Sequence, residues 1–367
     1  MYFLIASNNI GGIEMFKKKI HFLIFPFLAF IISIILFSCK NSELVTPPLI
    51  DYHFNIYEAN YSTNNYFIDT LYASTNKSLN LFNKYYGELN PEVNLVYRVK
   101  KIEVWKSTYS LVYDLTRERH VNAFINLPGL SKTQIYSDSL RSTIYYPTPG
   151  LSETGRFELL KPDTDYVLHP ETGYLTFYTQ IQDQDAIAVA YEVENSDPGV
   201  VDDSYYGEFL NKRTQSDTIN NLILKLIKPA YLKPQYKEAW KLLLKNIYNI
   251  GYTNIKPENF YLNIKYVISP NNELYGLDGK SFLTILGLDK FDKYGNPNPD
   301  NLFDYRPSIT INPKTGDIIF PTLQPFGRNM PSWVPDSLRF NELYDTSKSA
   351  AIDYYGNKNK FVITSEY

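Results

Sequence analysis

Residues 165–193 read DYVLHPETGYLTFYTQIQDQDAIAVAYEV, and this stretch decides the fold class that the sequence predicts. Two short apolar runs flank the turn sequence HPETG. Pro170 presets a turn φ, and Gly173 can adopt the positive φ that closes a hairpin. A third, nearly uncharged run follows at 186–193. The stretch therefore predicts a β-hairpin followed by a further strand.

The same pattern occurs a second time at residues 309–320, ITINPKTGDIIF. Pro313 and Gly316 hold the turn positions that the proline and glycine of HPETG hold in the first copy. A hairpin encoded twice in one chain indicates a repeated sheet unit. We therefore expect an α+β, mostly β fold built from antiparallel, sandwich-like sheet units.

Residues 74–86 predict a helical turn or two before Gly87, and in the C-terminal half we expect one or two helices. Apolar residues at helical spacing predict a helix between Pro234 and Gly251, and a shorter one at 280–286. A loop containing Asp-Pro-Gly follows residue 195. We take it as the boundary between a β-rich domain 1, residues 51–195, and an α+β domain 2, residues 205–367.

The N-terminal residues resemble an export signal. A lysine-rich segment precedes an apolar run at 22–37, which ends in Leu-Phe-Ser-Cys at Cys39. This is the arrangement of a bacterial lipoprotein signal, in which the cysteine is acylated. We expect a signal peptide at 1–38, with residues 1–14 upstream of the true start, and a linker at 39–50. The alternative is an uncleaved anchor with an incidental cysteine.

The composition indicates which kinds of partner and covalent bond the chain can have. The net charge of −3 gives no electrostatic reason to expect nucleic acid. The single cysteine excludes a disulfide within the chain. The 33 tyrosines suit strands that are buried on one face and wet on the other. We favour this sheet role over a ligand-stacking surface.

The polar residues offer little catalytic chemistry. His53, His120 and His169 have no histidine partner at metal-ligand spacing, and His169 aligns with Asn312 in the second copy, which indicates a turn role. Aspartate pairs occur at 163/165, 183/185 and 202/203. A glycosidase needs two carboxyls facing each other across a cleft, whereas these pairs stand beside turn residues. We expect a protein that is not an enzyme, with a carboxylate-dyad hydrolase as the last-ranked alternative.

One loop, DKFDKYGNPNPDNLFD at 289–304, could bind a metal ion. Ca²⁺ is held by oxygen ligands from a flexible loop. The candidate ligands are Asp289, Asp292, Asn296, Asn298, Asp300 and Asp304. The spacing is not that of an EF-hand, and the alternative is a cluster of turn-forming residues.

A series of motifs is spread over residues 93–327. In chain order they are RVKKIEVW at 98–105, DYVL at 165–168 with GYL at 173–175, DAIAVAY at 185–191, GEF at 207–209, LILKLIK at 222–228, WKLLLKNIY at 240–248, FDY at 303–305, and GDIIF at 316–320 with PFG at 325–327. In this order they resemble the repeated soluble domain of the SprA/Sov family, the outer-membrane translocon of the type IX secretion system, which is also tied to gliding motility.

The resemblance implies a secretion or motility setting and no catalytic residues. Members of that family are several times longer, so this chain would be a stand-alone relative of one domain or part of a truncated or split gene. We expect an outer-membrane lipoprotein, anchored through Cys39, that docks other secretion or motility proteins. The alternative is a surface lipoprotein that binds glycan or peptide on tyrosine-rich sheet faces.

Overall fold

The computed structural model describes most of the chain from residue 53 onward. The described ranges are 53–74, 80–88, 90–93, 95–114, 116–142, 146–195, 202–210, 221–258, 260–352 and 360–367. The expected signal peptide, Cys39 and the linker 39–50 lie outside these ranges. None of the described helices combines the length and the apolar composition that crossing a membrane requires.

Strands outnumber helices in the described ranges, so the α+β, mostly β class is confirmed. The strands are β1 His53–Tyr57, β2 Asn65–Phe67, β3 Val99–Ser107, β4 Glu118–Phe124, β5 Ser152–Leu159, β6 Tyr166–His169, β7 Tyr174–Phe177, β8 Ile187–Val193, β9 Ser204–Tyr206, β10 Leu222–Lys228, β11 Ile247–Asn249, β12 Tyr261–Ser269, β13 Asn272–Leu274, β14 Gly276–Leu277, β15 Lys280–Ser281, β16 Ile311–Asn312, β17 Asp317–Ile319 and β18 Phe361–Glu366. The helices are α1 Leu81–Tyr86, α2 Asp138–Arg141, α3 Lys237–Trp240, α4 Phe282–Ile285, the 3-10 helix Asp336–Leu338, α5 Glu342–Asp345 and α6 Lys348–Ala351.

Five strands form a sheet that closes on itself. β10 pairs in parallel with β4 and antiparallel with β8, while β5 and β3 complete the ring between them. All residues of β10, LILKLIK, are buried. A strand covered on both faces reads as a nearly continuous apolar run. β9 extends the sheet from β8.

Both predicted hairpins are present, and each belongs to a three-stranded antiparallel sheet. β6 and β7 flank the first turn, and β16 and β17 flank the second. An earlier strand completes each sheet, since β2 pairs with β7 and β11 pairs with β17. The strand order β2-β7-β6 therefore matches the order β11-β17-β16. We call these two sheets the first and second repeat units.

The repetition extends beyond the hairpin motif into the strands that accept it. β2 and β11 both lie in the pattern N-x-Y-x-I, which occurs as NNYFI and as NIYNI. The closing isoleucines make equivalent bonds. Ile68 N donates to Gly173 O and Ile250 N donates to Gly316 O, each at 2.9 Å. Gly173 and Gly316 have φ of 60° and 74°, which only glycine adopts freely.

The loops before the two hairpins correspond as well. Isolated parallel bridges join Pro162 to Tyr166 in the first unit and Pro307 to Ile311 in the second. The residue after each proline has a positive φ, 59° in one loop and 66° in the other. The local geometry is therefore repeated even where the side chains differ.

The described residues do not separate at the boundary that we placed between 195 and 205. β10 lies beyond that boundary, yet it closes the sheet whose other ring strands lie before it. Residues Tyr52–Tyr367 form one compact unit, and one large apolar cluster runs through it from Ile56 to Ile363.

The helix predicted between Pro234 and Gly251 is wrong for most of its length. Only α3 is helical there, and the segment ends in strand β11. Residues 242–248 are all buried, so the apolar positions do not mark one face of a helix. Leu244 N donates to Asn65 O, which shows that the segment is extended beside β2. An apolar run covered on all sides suits an extended strand as well as a helix.

The shorter helix predicted at 280–286 is confirmed as α4. Ser281 caps it by accepting from Thr284 N at 3.2 Å, and Gly287 follows it with a φ of 80°. The described part of the chain from residue 205 holds four α-helices of 4 residues each, rather than one or two longer ones.

Candidate functional site

The candidate site is the outer edge of the four-stranded sheet β1-β18-β12-β13. β1 pairs with β18 along its whole length, from His53 opposite Glu366 to Tyr57 opposite Val362. Within the described ranges, no strand pairs with the other side of β1. An unpaired strand edge is a template for an additional strand.

The hydrogen-bond pattern shows which groups point outward from this edge. Glu58 N donates to Phe361 O at 3.3 Å, so these two residues form a hydrogen-bonded pair. Bonded and non-bonded pairs alternate along an antiparallel ladder. Ile56 therefore bonds to β18, whereas the backbone N–H groups of Asn55 and Tyr57 point away from the sheet. A polypeptide lying along β1 would meet these groups.

Glu58 fixes the end of this edge to the core. Its side chain is fully buried, and its Oε1 accepts from Lys360 N at 2.7 Å. Its backbone oxygen accepts a bond from the hydroxyl of Tyr248, at 2.8 Å. Burial raises the pKa of Glu58 to about 8, because the charged carboxylate loses its hydration. The edge strand is therefore held by an acid that is mostly protonated at neutral pH.

The outer face beside the edge is polar and aromatic. Lys265 Nζ lies 2.8 Å from Glu273 Oε1, and the hydroxyl of Tyr275 donates to Glu273 Oε2 at 2.8 Å. Val362 lies between Lys265 and Tyr57 in the register and is only 4% exposed. The hydrogen bond to Glu273 is the main cause that raises the pKa of Lys265. This face carries an exposed aromatic ring, Tyr57, at the open edge, and its fixed ion pair lies beyond β18, on β12 and β13.

Many of the tyrosines are buried and do not contribute to a surface. Tyr61, Tyr72, Tyr166, Tyr174, Tyr191 and Tyr248 are among the largest fully buried side chains. Tyr57, Tyr261 and Tyr275 are exposed on or beside the four-stranded sheet, at 46%, 60% and 51%. Of the described tyrosines, ten are therefore buried and nine are exposed, and of the exposed ones only Tyr57 lies on β1.

The loop predicted to bind Ca²⁺ uses its carboxylates on its own backbone. Asp289 accepts N–H bonds from Asp300 and Asn301 at 3.1 and 3.0 Å. Asp292 accepts from Asn296 N at 2.9 Å. These bonds hold the loop in shape and engage the oxygens that a metal would need.

Two further predicted ligands of this loop also accept backbone bonds. Asp304 accepts from Lys290 N at 2.7 Å, and Asp300 accepts from Leu302 N at 3.1 Å. Asn298 is exposed. Asp289 and Asp300 lie near enough to Asp304 for their charges to raise its pKa, after the larger effect of burial, and all three carboxylates accept backbone N–H bonds of the loop.

Three acids elsewhere do come together. Glu194, Asp202 and Asp203 have carboxylate oxygens within 4.8 Å of one another. Lys100 Nζ lies 3.1 Å from Glu194 Oε2 and 3.0 Å from Asp203 Oδ2. The hydrogen bonds to Asp203 and then Glu194 raise the pKa of Lys100. A cation of the chain itself therefore offsets part of the charge of this cluster.

The first two aspartate pairs have turn roles. Asp165 accepts from Lys161 N at 2.7 Å, and Asp185 accepts from Gln182 N at 3.0 Å. Asp163 is exposed in a left-handed backbone conformation. His169 stacks on Tyr174, with ring centroids 3.9 Å apart, beside the turn.

Sequence reasoning missed three buried lysines. Lys225 forms an ion pair with Asp69, and Lys228 donates to four backbone oxygens, including those of Gln182 and Asp183 at 3.1 Å. Lys245 lines a cleft. For Lys225 and Lys228 the signal was present in the sequence LILKLIK, because a lysine within a buried strand needs a hydrogen-bond or ion-pair partner.

Comparison with known proteins adds no assignment. No protein-family model matches the chain, and no curated protein matches it significantly.

Proposed function

We propose that the chain is a non-catalytic docking protein that holds an extended segment of a partner polypeptide against strand β1. The observation that carries the proposal is the open edge, with the N–H groups of Asn55 and Tyr57 directed away from β18. Addition of a strand to such an edge gives affinity through backbone bonds and specificity through side-chain contacts.

The side chains near the edge favour a polypeptide partner. An added strand places alternate side chains on the outer face, next to Tyr57, whereas Lys265 and Glu273 lie farther away, beyond β18. An exposed aromatic ring at the edge suits cross-strand contacts with aromatic or β-branched residues of the added strand.

The biological setting of the proposal comes from the family resemblance. The partner would be a component of the outer-membrane secretion or motility machinery, and Cys39 would carry the lipid that keeps the chain at that membrane. The repeat units and the closed sheet would serve as the rigid support for the edge.

A photo-crosslinking experiment tests this proposal. Benzoylphenylalanine replaces Tyr57 at the edge or, as the control, Tyr294, which is also exposed but lies in the 289–304 loop. We expect crosslinks from position 57 to an outer-membrane component of the secretion machinery, and none from position 294. Equal products from both positions, or no such component at position 57, would refute the proposal.

A backbone variant tests the edge directly. Proline lacks an N–H, and it is tolerated on an edge strand where that group faces outward. Asn55→Pro should therefore abolish the crosslink while the thermal unfolding temperature stays close to that of the wild type. Asn55→Ala, which keeps the N–H, should retain the crosslink. Retention by Asn55→Pro would show that the partner does not pair with β1.

A further inference from the structure

A cleft of about 740 Å³ lies beside α3 and is independent of the β1 edge. Trp240, Leu243 and Tyr344 supply apolar walls, and Lys241 and Asp345 stand among the charged lining residues. Clefts of roughly 300–1,000 Å³ with apolar walls and a few polar groups suit small molecules.

The buried polar group of this cleft is the amine of Lys245. The residue is only 6% exposed, and its Nζ donates to Trp240 O at 3.2 Å and to Leu243 O at 3.3 Å. The amine also lies 4.3 Å from the centroid of the Trp240 ring. Within the described ranges, no carboxylate lies at ion-pair distance from it. Two neutral carbonyls therefore hold an amine that has no counter-charge in contact.

The charged groups around Lys245 are engaged with each other. Lys241 pairs with Glu238 at 2.8 Å, and Asp345 pairs with Arg328. Lys237 is exposed on the same cleft. Burial lowers the pKa of Lys245 to about 7, and the charge of Asp345 opposes that change in part. A substantial fraction of this amine is therefore neutral at physiological pH.

We propose that Lys245 captures small aldehydes or α-oxo acids in this cleft as an imine. The lone pair of Nζ attacks the carbonyl carbon and forms a C–N bond. The two amine hydrogens and the carbonyl oxygen leave as water when the C=N bond forms, so no oxidant or reductant is needed. A protonated imine keeps one N–H for the carbonyl of Trp240 or Leu243.

The cleft favours acidic carbonyl compounds. When Lys245 is neutral, Lys237 and Lys241 carry the positive charge of the cleft lining, while Glu238 is paired with Lys241 and Asp345 with Arg328. An α-oxo acid would place its carbonyl at Lys245 and its carboxylate toward the exposed lysines. Attack by a desolvated lysine on a carbonyl is an established way in which proteins form covalent intermediates.

Reductive trapping with glyoxylate tests the proposal. The full chain is incubated with glyoxylate and cyanoborohydride across pH 6–9, and the modified lysines are mapped by mass spectrometry. An ordinary lysine, with a pKa of about 10.4, is less than about 0.1% neutral at pH 7. We therefore expect Lys245 to react on the order of a hundred-fold faster than Lys241, which lines the same cleft but is exposed.

The pH profile and three variants make the test specific. The rate at Lys245 should reach half its plateau near pH 7, and Asp345→Asn should move that midpoint lower, because Asp345 raises the pKa. Lys241→Met should leave the Lys245 product unchanged, and Lys245→Met should remove it. A Lys245 rate no higher than that of Lys241 in the wild type would overturn the proposal, whether or not Lys245→Met folds.

Discussion

Asp69 Oδ2 and Lys225 Nζ lie 2.7 Å apart in an ion pair with 14% and 8% side-chain exposure. Asp69 follows β2 of the first repeat unit, and Lys225 belongs to β10 of the closed sheet. The hydroxyl of Tyr191 on β8 donates to the same carboxylate oxygen at 2.8 Å. Burial alone would raise the pKa of Asp69, but the charge and hydrogen bond of Lys225 lower it. This pair therefore joins two sheets through a charged contact.

Removing one partner of this pair should destabilise the protein strongly. Asp69→Ala leaves the ammonium of Lys225 buried without a carboxylate, which should cost about 3–5 kcal/mol in urea unfolding. The double variant Asp69→Ala/Lys225→Met removes both charges and should recover part of that loss. Glu238→Ala, which breaks the exposed pair with Lys241, should cost less than about 1 kcal/mol. A double variant as unstable as the sum of its singles would contradict this account.

Glu58 should make the protein less stable as the pH rises. Its folded pKa is about 8 and its ordinary value is 4.5, so between these values the folded state keeps a proton that the unfolded state has lost. The contribution of this group to the free energy of unfolding should fall by about 1.4 kcal/mol per pH unit in that window. Glu58→Gln does not titrate, so its stability relative to the wild type should rise from pH 4.5 to 8. If the free energies of unfolding of Glu58→Gln and of the wild type changed equally between pH 4.5 and 8, the raised pKa of Glu58 would be refuted.

His169 should have the opposite dependence. Burial lowers its pKa from 6.5 to about 4, so the unfolded state binds a proton between these values that the folded state does not. Stability from this group is present above pH 6.5 and is lost as the pH falls toward 4. His169→Asn installs the residue that Asn312 provides in the second unit and should remove this loss. Thermal unfolding of the variant and of the wild type at pH 4.5 and 7 measures this effect. If the unfolding temperature of the variant fell between pH 7 and 4.5 by as much as that of the wild type, the prediction would be wrong.

The turn glycine of the second repeat unit should be sensitive to a single methyl group. A Cβ at Gly316 would overlap the backbone oxygen of Tyr252, and the φ of 74° is already strained for alanine. Gly279 has a similar φ of 76°, but a Cβ there meets no atom within 4 Å. Gly279→Ala should cost about 1 kcal/mol and Gly316→Ala about 3 kcal/mol or more in urea unfolding. Equal losses would show that backbone strain alone decides both positions.

Local signals predicted the parts of the fold that depend on local chemistry. The turn sequences HPETG and NPKTG specify their hairpins because proline and glycine fix the backbone at the turn. The short helix α4 is marked by its capping serine and by Gly287. The acceptor strands of the repeat units were not paired with the hairpins, because N-x-Y-x-I is separated from them by many residues.

Long-range packing explains the errors. The segment 242–248 carries apolar residues at helical spacing, yet β2 and β17 bury it from both sides and draw it into an extended conformation. The ring closure by β10 joins strands that lie on both sides of an apparent linker, and no local pattern encodes that pairing. The open edge of β1 was likewise not visible, because it depends on β18 at the opposite end of the described chain. Lys245 was read only as part of a helix pattern.

Because the sheet unit occurs twice, the folding chain must pair each hairpin with the correct one of two similar acceptor strands. Each hairpin encounters two competing acceptors, and an exchanged pairing would trap a misassembled intermediate. Correct assembly sets Phe67 against Tyr174 in an edge-to-face contact, whereas Asn249 bonds to Asp317 at 2.8 Å. Exchange would press Phe67 against the aspartate and leave Asn249 beside an aromatic ring. The different side chains at these positions would therefore favour the pairing of each hairpin with its own acceptor strand.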